Sequence, residues 1–337
     1  MTLTRSRPHL PPLSPPRTWF AALALAAHAC LPHAALAQDY PAKPVRLVVP
    51  FAAGGTTDIV ARVIANGAAA ALGQPMIVDN KGGGGGAIGS LEVARQRPDG
   101  YTLGMATVST TASAPAINKK IGYDPLTDFT PIINIAATPN VVAVHPSFPA
   151  RDYKAFVQAL KSNPGKYSFA TAGNASIGHM QMELFKSLTD TFMTHIPYRG
   201  SGPALNDAVA GQVPIVFDNL PSALPFIKSG QLVAIVVAAP QRLAQLPGVA
   251  TFKEVGLEAV NRMAYYGVVG PKGLPRPVVD KVAAAIKRTA ELPEVKKRIE
   301  DTGSLLVLNT PDEFAAQMRA ELDVYKKVVE KQKLTLD

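Results

Sequence analysis

Val45-Arg46-Leu47-Val48-Val49-Pro50-Phe51-Ala52-Ala53-Gly54-Gly55-Thr56-Thr57-Asp58 decides the fold of this chain. It reads as a buried β-branched strand, a glycine-bearing loop and the start of a helix. Thr56 stands where a helix N-cap is favoured, and Asp58 falls in the first turn, where a carboxylate suits the helix dipole. The helix is predicted to run to Leu72, with Gly73 as its stop signal. Met76-Ile77-Val78 follows as a second strand. Asn80-Lys81 and an unbroken glycine run, Gly82 to Gly86, then lead into a helix from Ala87 to Arg95. After the turn Pro98-Asp99-Gly100, residues 101–106 form a third strand. This βαβαβ order marks an open α/β sheet, in which ligands bind at the carboxyl edge of the strands. Both strand-to-helix loops lie at that edge and offer uncovered backbone N–H groups. Side by side they would form a cradle for an anion, and a carboxylate is the expected one.

The rest of the chain extends the pattern. Thr107-Val108-Ser109-Thr110-Thr111 brings hydroxyls to the same edge, as ligand contacts or as ordinary capping groups. The apolar segment from Ile132 to His145 breaks at Pro139-Asn140, and β-branched residues on both sides argue for a strand that leaves one domain and enters another. Strands near 167–170, 193–197, 213–217 and 232–238 alternate with helices through the second domain, and residues 264–271 cross back. The final helices, near 276–289, 294–302 and 312–331, return to the first domain. The expected organisation is residues 38–139 with 264–337 as domain 1, and 140–263 as domain 2. That makes two doubly wound α/β lobes joined by two crossing strands, with a cleft between.

The chain has 337 residues and a formal net charge of +9. Three of the positive charges, Arg5, Arg7 and Arg17, precede an apolar run from Trp19 to Ala29 that is too short to span a bilayer comfortably. Ala35-Leu36-Ala37 is an A-x-A cleavage site, so residues 1–37 are expected to be a signal peptide removed after Ala37, with the mature protein in a bacterial periplasm. Cleavage would remove Cys30, the single cysteine, and with it thiol catalysis, disulfides and cysteine metal sites. The remaining basic residues are scattered and not interleaved with aromatics, so no nucleic-acid partner is expected.

Catalytic and cofactor motifs are weak. Gly84-Gly85-Gly86-Ala87-Ile88-Gly89 formally satisfies G-x-G-x-x-G, but it follows the second strand, and no acidic residue ends the third to take a ribose hydroxyl. No Gly-Lys-Ser/Thr follows the glycines, and no nucleophile elbow occurs. His179 and Glu183 share a helix face, with His195 as a further candidate, yet such a pair is common without a metal. No cofactor, no metal and no enzymatic activity are expected. Asp58 is either a cap or an acceptor for a ligand ammonium or hydroxyl. Arg199 and Asp218 are further candidates from the opposite lobe.

Tyr40-Pro41-x-Lys43-Pro44-x-Arg46, followed by the Pro50–Asp58 loop, resembles the opening of the Bug family, the extracytoplasmic solute receptors of tripartite tricarboxylate transporters. The Asn80-Lys81 glycine loop with Ala87-Ile88-Gly89, Pro98–Leu103, Tyr198-Arg199-Gly200 and Gly270–Pro275 extend the resemblance over essentially the whole mature chain. It implies a type II periplasmic-binding-protein fold in which two loops of domain 1 grip a ligand carboxylate through backbone N–H groups and waters. Carried over residue by residue, the ligand contacts are Phe51, Gly54, Gly55, Thr56, Thr57 and Asp58, then Gly84, Gly85, Gly86 and Ala87. From domain 2 the resemblance adds Thr171, Gly173, Ser176, His179, Gly200 and Asp218 at the far end of the ligand. It implies a small-molecule carboxylate ligand and membrane components of a tripartite tricarboxylate transporter as partners, and a monomeric receptor. A receptor feeding a signalling partner is the alternative, and a secreted enzyme a distant third.

Overall fold

The computed structural model describes residues 40–335, so the expected signal peptide, its cleavage site and Cys30 lie outside the described residues. From Pro41 on the chain forms one compact unit built on two sheets. Strand β1 (Val45–Val49) lies between β2 (Met76–Asn80) and β3 (Thr102–Thr107), all parallel. Helix α1 (Thr56–Leu72) connects β1 to β2 and ends on Gly73, whose N–H bonds back to the Ala69 carbonyl. Helix α2 (Ala87–Ala94) connects β2 to β3. The Thr107–Thr111 segment is not a loop. Thr107 ends β3, and Ser109–Ser113 form one wide π-type turn that runs into the short helix α3 (Ala114–Ile117).

The break at Pro139 falls between β4 (Phe129–Thr138) and β5 (Asn140–Val144), which belong to different sheets. The second sheet adds β6 (Ser168–Thr171), β7 (Thr194–Pro197), β8 (Ile215–Asn219) and β9 (Val233–Ala238) in the order β7-β6-β8-β5-β9. Its helices are α4 (Tyr153–Ser162), α5 (Ile177–Thr189), α6 (Ser201–Val209) and α7 (Leu220–Lys228). The chain returns through β10 (Ala264–Pro271), a wholly buried strand set between β3 and β4. Neither sheet is purely parallel. β10 runs antiparallel to both of its neighbours, and β5 to both of its own. A strand that enters a lobe by crossing from the other runs against the strands wound within it.

Helices α8 (Arg276–Glu291), α9 (Pro293–Glu300) and α10 (Pro311–Gln332) close the first lobe, and a two-residue strand, β11 (Leu305–Leu306), pairs with β4 at the sheet edge. Helix α10 starts in a capping box, with Thr310 and Glu313 satisfying each other's backbone N–H groups. It buries Phe314, Met318, Leu322 and Tyr325. The Phe314 ring meets Tyr265 edge-on at 5.6 Å and lies so close to Gly267 that any Cβ there would overlap it. Glycine in the middle of β10 is therefore a packing requirement. Phe314→Ala would leave a ring-sized void over the central crossing strand. It is expected to destabilise the protein by about 3–5 kcal/mol, measured by chemical denaturation, and a loss below 1 kcal/mol would contradict this packing.

Candidate functional site

The loop from Pro50 to Gly55 is held from behind by two side chains. Asn80, at the end of β2, donates from Nδ2 to the Phe51 carbonyl (3.1 Å) and to Asp58 Oδ1 (3.0 Å). Asp58 Oδ2 accepts from the Gly54 N–H and from Arg62 Nε, both at 3.0 Å. Burial alone would raise the Asp58 carboxyl, but Arg62, Gly54 and Asn80 together hold it below the ordinary value. Both its oxygens are thus committed within the lobe. Asp58, expected among the ligand contacts, does not line the cavity between the lobes and ties the loop to Asn80 and Arg62.

A cavity lies between the lobes, walled on one side by Phe51, Gly55, Thr57 and the Thr107–Ser109 turn. Its other wall is Ala172, Ser176, Ile177, Gly178, Ser201 and Phe217 to Asn219, with Ala264 and Tyr266 beside them. Its volume is about 20 Å³, room for roughly one water. Four helices begin at this wall: α1, α5, α6 and α7. Each brings its positive end; in α5 the Ile177 and His179 N–H groups are already bonded to Ser109 and Ser176, and in α7 those of Leu220 and Ser222 to Pro139 and Thr56. α1 and α6 start on Gly55 and Gly200, and no side chain caps either one. Hydroxyls from Thr57, Thr107, Ser109, Ser176, Ser201 and Tyr266 line the same space. No lysine, arginine or histidine does, and the single charged side chain is Asp218.

Asp218 is 4% exposed. Ser201 donates to its Oδ1, and Ser222 to its Oδ2 at 2.6 Å. Thr56, on the opposite lobe, meets the Ser222 hydroxyl at 2.8 Å and accepts from the Ser222 N–H at 3.2 Å. Burial pushes the Asp218 carboxyl up to about 6, against the opposing pull of the two hydroxyls and the Asn219 N–H. Burial likewise raises Tyr266, so its hydroxyl stays protonated.

Of the residues expected from sequence, Phe51, Gly55, Thr57, Ser176 and Asp218 line the cavity. Thr56 lies at its edge, in the Ser222 contact. Gly84, Gly85, Gly86 and Ala87 do not line it; the glycine loop is a lobe-to-lobe contact instead. A Cβ on Gly85 would collide with the Asn174 carbonyl oxygen, and one on Gly86 would come within 2.9 Å of the Phe51 ring. Gly54 faces Gly202 of α6. A Cβ on Gly200 would come within 2.7 Å of the Ala52 nitrogen, which donates to the Arg199 carbonyl at 3.0 Å. Gly173 sits against Gly85. These glycines let backbone meet backbone across the cleft.

Thr171 and His179 also stand behind the wall. His179 Nδ1 accepts from the Ala175 N–H (3.0 Å), and its ring stacks on His195 at 3.9 Å. His195 Nε2 is 2.7 Å from Thr171 Oγ1, which also accepts from the Gly173 N–H at 3.2 Å. Burial lowers both imidazoles, His195 to about 3, so the stack is neutral and braces the loop over residues 171–176. Among the described residues no group of three or more His, Cys, Asp or Glu side chains is placed to hold a metal. Sequence reasoning passed over Ser201, Ser222 and Tyr266. Ser222 lies in α7, a helix hidden by Pro225 in its interior; Pro221, in its first turn, was the available signal.

A family profile described as "Tripartite tricarboxylate transporter family receptor" matches residues 60–334. Protein BugT of Bordetella pertussis is 32% identical over 294 residues, spanning 87% of this chain and 90% of that protein. A solved structure described as a periplasmic transporter is 48% identical, with a TM-score of 0.87 over 88% of this chain and 100% of the other. MatC of Rhodopseudomonas palustris, solved with bound malate, is 34% identical, with a TM-score of 0.83 over 86% and 100% of the two chains.

The raised Asp218 carboxyl makes a stability prediction with an unusual sign. An aspartate in the unfolded chain titrates near 3.9, so between that value and about 6 the folded state holds the extra proton. The penalty for the buried charge is felt in full above pH 6 and relieved as the pH falls toward 4. The stability of Asp218→Asn relative to the native protein should therefore fall by up to about 3 kcal/mol between about pH 7.5 and pH 4. Parallel pH–stability curves for the two proteins would refute a raised Asp218.

Proposed function

The chain belongs to the receptor family of tripartite tricarboxylate transporters, and on that premise we propose that it captures a small carboxylate at the Phe51–Thr57 wall. It is a solute-binding receptor of the two-lobed type. The observation that carries the ligand class is the cavity wall: four helix N-termini and six hydroxyls, with no cationic side chain. Such a wall stabilises an anion through backbone donors and dipoles, without the desolvation cost of a buried counter-ion. A ligand larger than one water cannot enter the cavity as it stands, so capture requires the lobes to part and close again.

In this reading residues 38–139 and 264–337 move as one lobe and 140–263 as the other. The receptor is a monomer without catalytic residues or cofactor. It is exported to the periplasm by cleavage after Ala37, and it delivers its ligand to the membrane components of a tripartite tricarboxylate transporter.

A panel of organic acids and their amides, tested by thermal shift on the protein from Gln38 onward, examines the proposal. A binder present at about a hundred times its Kd should add roughly 2.7 kcal/mol to stability. One acid giving a saturable rise that its amide lacks is the expected result. Gly85→Val, which would place side-chain atoms against Asn174, is expected to weaken that acid at least tenfold. No shift from any acid, together with no small acid released on denaturation and detected by mass spectrometry, would overturn the carboxylate reading.

A further inference from the structure

A second cavity lies on the other side of the crossings. In the first sheet, β4 and β10 separate β11 from β3 and β1; in the second, β5 separates β9 from β8 and β6. The front cavity is walled by residues at the ends of β1, β3, β6 and β8. The back cavity is walled by residues 240–245, which follow β9, and by the α9–β11 turn of the first lobe. Pro139 and Met263, one from each crossing, complete its lining. Its volume is about 370 Å³, against about 20 Å³ at the front. That is within the range of small-molecule sites, roughly 300–1,000 Å³.

The lining suits a neutral guest. Pro139, Pro240, Leu243, Met263 and Leu305 supply apolar surface. The two charged lining residues are already paired, Arg242 with Glu254 at 2.9 Å and Glu300 with Lys296 at 3.9 Å. What the wall leaves unmatched is acceptors. Thr302 Oγ1 donates to the Ile299 carbonyl (2.6 Å), so its 2.9 Å contact with Ser304 is a donation from Ser304, whose lone pairs stay open. Ser304 is 4% exposed. Gln245 spends Nε2 on the carbonyls of Glu300 (3.1 Å) and Asp301 (3.4 Å), and its Oε1 has no partner among the described residues. An apolar body carrying one hydroxyl matches both parts of this wall.

We propose that the back cavity is a second binding site, for a compact neutral alcohol, and that its occupant holds the lobes closed. The inference rests on the parting of the lobes proposed above. Segments on opposite sides of a pivot move in opposite senses. When the lobes part at the front, residues 240–245 and the α9–β11 turn approach each other at the back. A guest lodged between them resists that approach and so favours the closed form. By reciprocity, a ligand that closes the front improves the fit of the guest at the back, and the guest raises the affinity of the front ligand.

The test uses cyclohexanol and its methyl ether, which lacks the donor, on the protein from Gln38 onward. Saturation-transfer NMR should show the alcohol bound at least fivefold more tightly than the ether. Ser304→Ala should weaken the alcohol at least threefold, and Ala244→Trp, which sets an indole at the cavity wall, should abolish its binding. Circular dichroism checks that both variants are folded, and the alcohol–ether comparison stands alone if they are not. Equal binding of alcohol and ether, or alcohol binding undiminished in both variants, overturns the site. Lobe closure is read separately, from spin labels on Ile88→Cys and Phe192→Cys, two exposed positions on opposite lobes of a chain with no cysteine after Cys30. Cyclohexanol should raise the ratio of short to long label distances at least threefold, and Ala244→Trp should do so without it. Distances unmoved by cyclohexanol overturn the coupling, and if a bound acid does not move them either, the parting of the lobes falls with it. The carboxylate reading is decided by the acid panel alone.

Discussion

Four helices begin at the cavity between the lobes, and much of the architecture serves to bring their N-termini to one place. A peptide N–H cannot be moved by a rotamer change. It is aimed by the strand that precedes it and the helix that follows. The βαβ units of both lobes therefore do more than form sheets: each ends a buried strand at the cleft and opens a helix there. Asp58 and Asn80 fix the Phe51–Gly55 loop from behind, and the stacked His179 and His195 brace the facing loop. Asp58 and His179, expected among the ligand contacts, stand behind the two loops and hold their backbones in position.

Closing such a site demands that backbone approach backbone. Across the cleft the Ala52 N–H meets the Arg199 carbonyl, Thr56 meets Ser222, the Ile177 N–H meets Ser109, and Ser113 meets the Ala175 carbonyl. All are neutral hydrogen bonds, each worth about 0.5–1.5 kcal/mol net. Their sum is a few kcal/mol, the range in which a ligand can tip an open–closed equilibrium by its differential affinity. Ion pairs or a large apolar seam at the same place would hold the lobes shut with or without cargo.

The strand-loop-helix units, the two crossings and the break at Pro139 were legible in the sequence because each leaves a local trace: a β-branched run, a glycine stop, a proline between two apolar halves. The role of the glycine run was not legible. A glycine that admits a ligand and one that admits a carbonyl from another lobe have the same sequence, and only the Asn174 oxygen beside Gly85 separates them. Asp58 was readable as a first-turn carboxylate, but its tie to Asn80 spans 22 positions. The serines that hold Asp218 lie 17 and 4 residues from it. They act together only because α6 and α7 start at the same edge. β11, two residues long, has no period to detect.

The two sides of the cleft are joined by different forces. At the back, the crossings lie side by side: Asn140 donates to the Arg262 carbonyl at 2.8 Å, and Gln181 to the same oxygen at 3.1 Å. Helix α10 of the first lobe runs on past them. It pairs Glu321 with Arg262, seats Val328 against the core of the second lobe, and ends with Gln332 accepting from Ser187. Apolar packing and a partly buried ion pair resist separation there. At the front only the neutral bonds of the cleft must break. The proposed parting of the lobes would therefore pivot about the crossings and α10 and break the Ala52–Arg199, Thr56–Ser222, Ile177–Ser109 and Ser113–Ala175 bonds at the front.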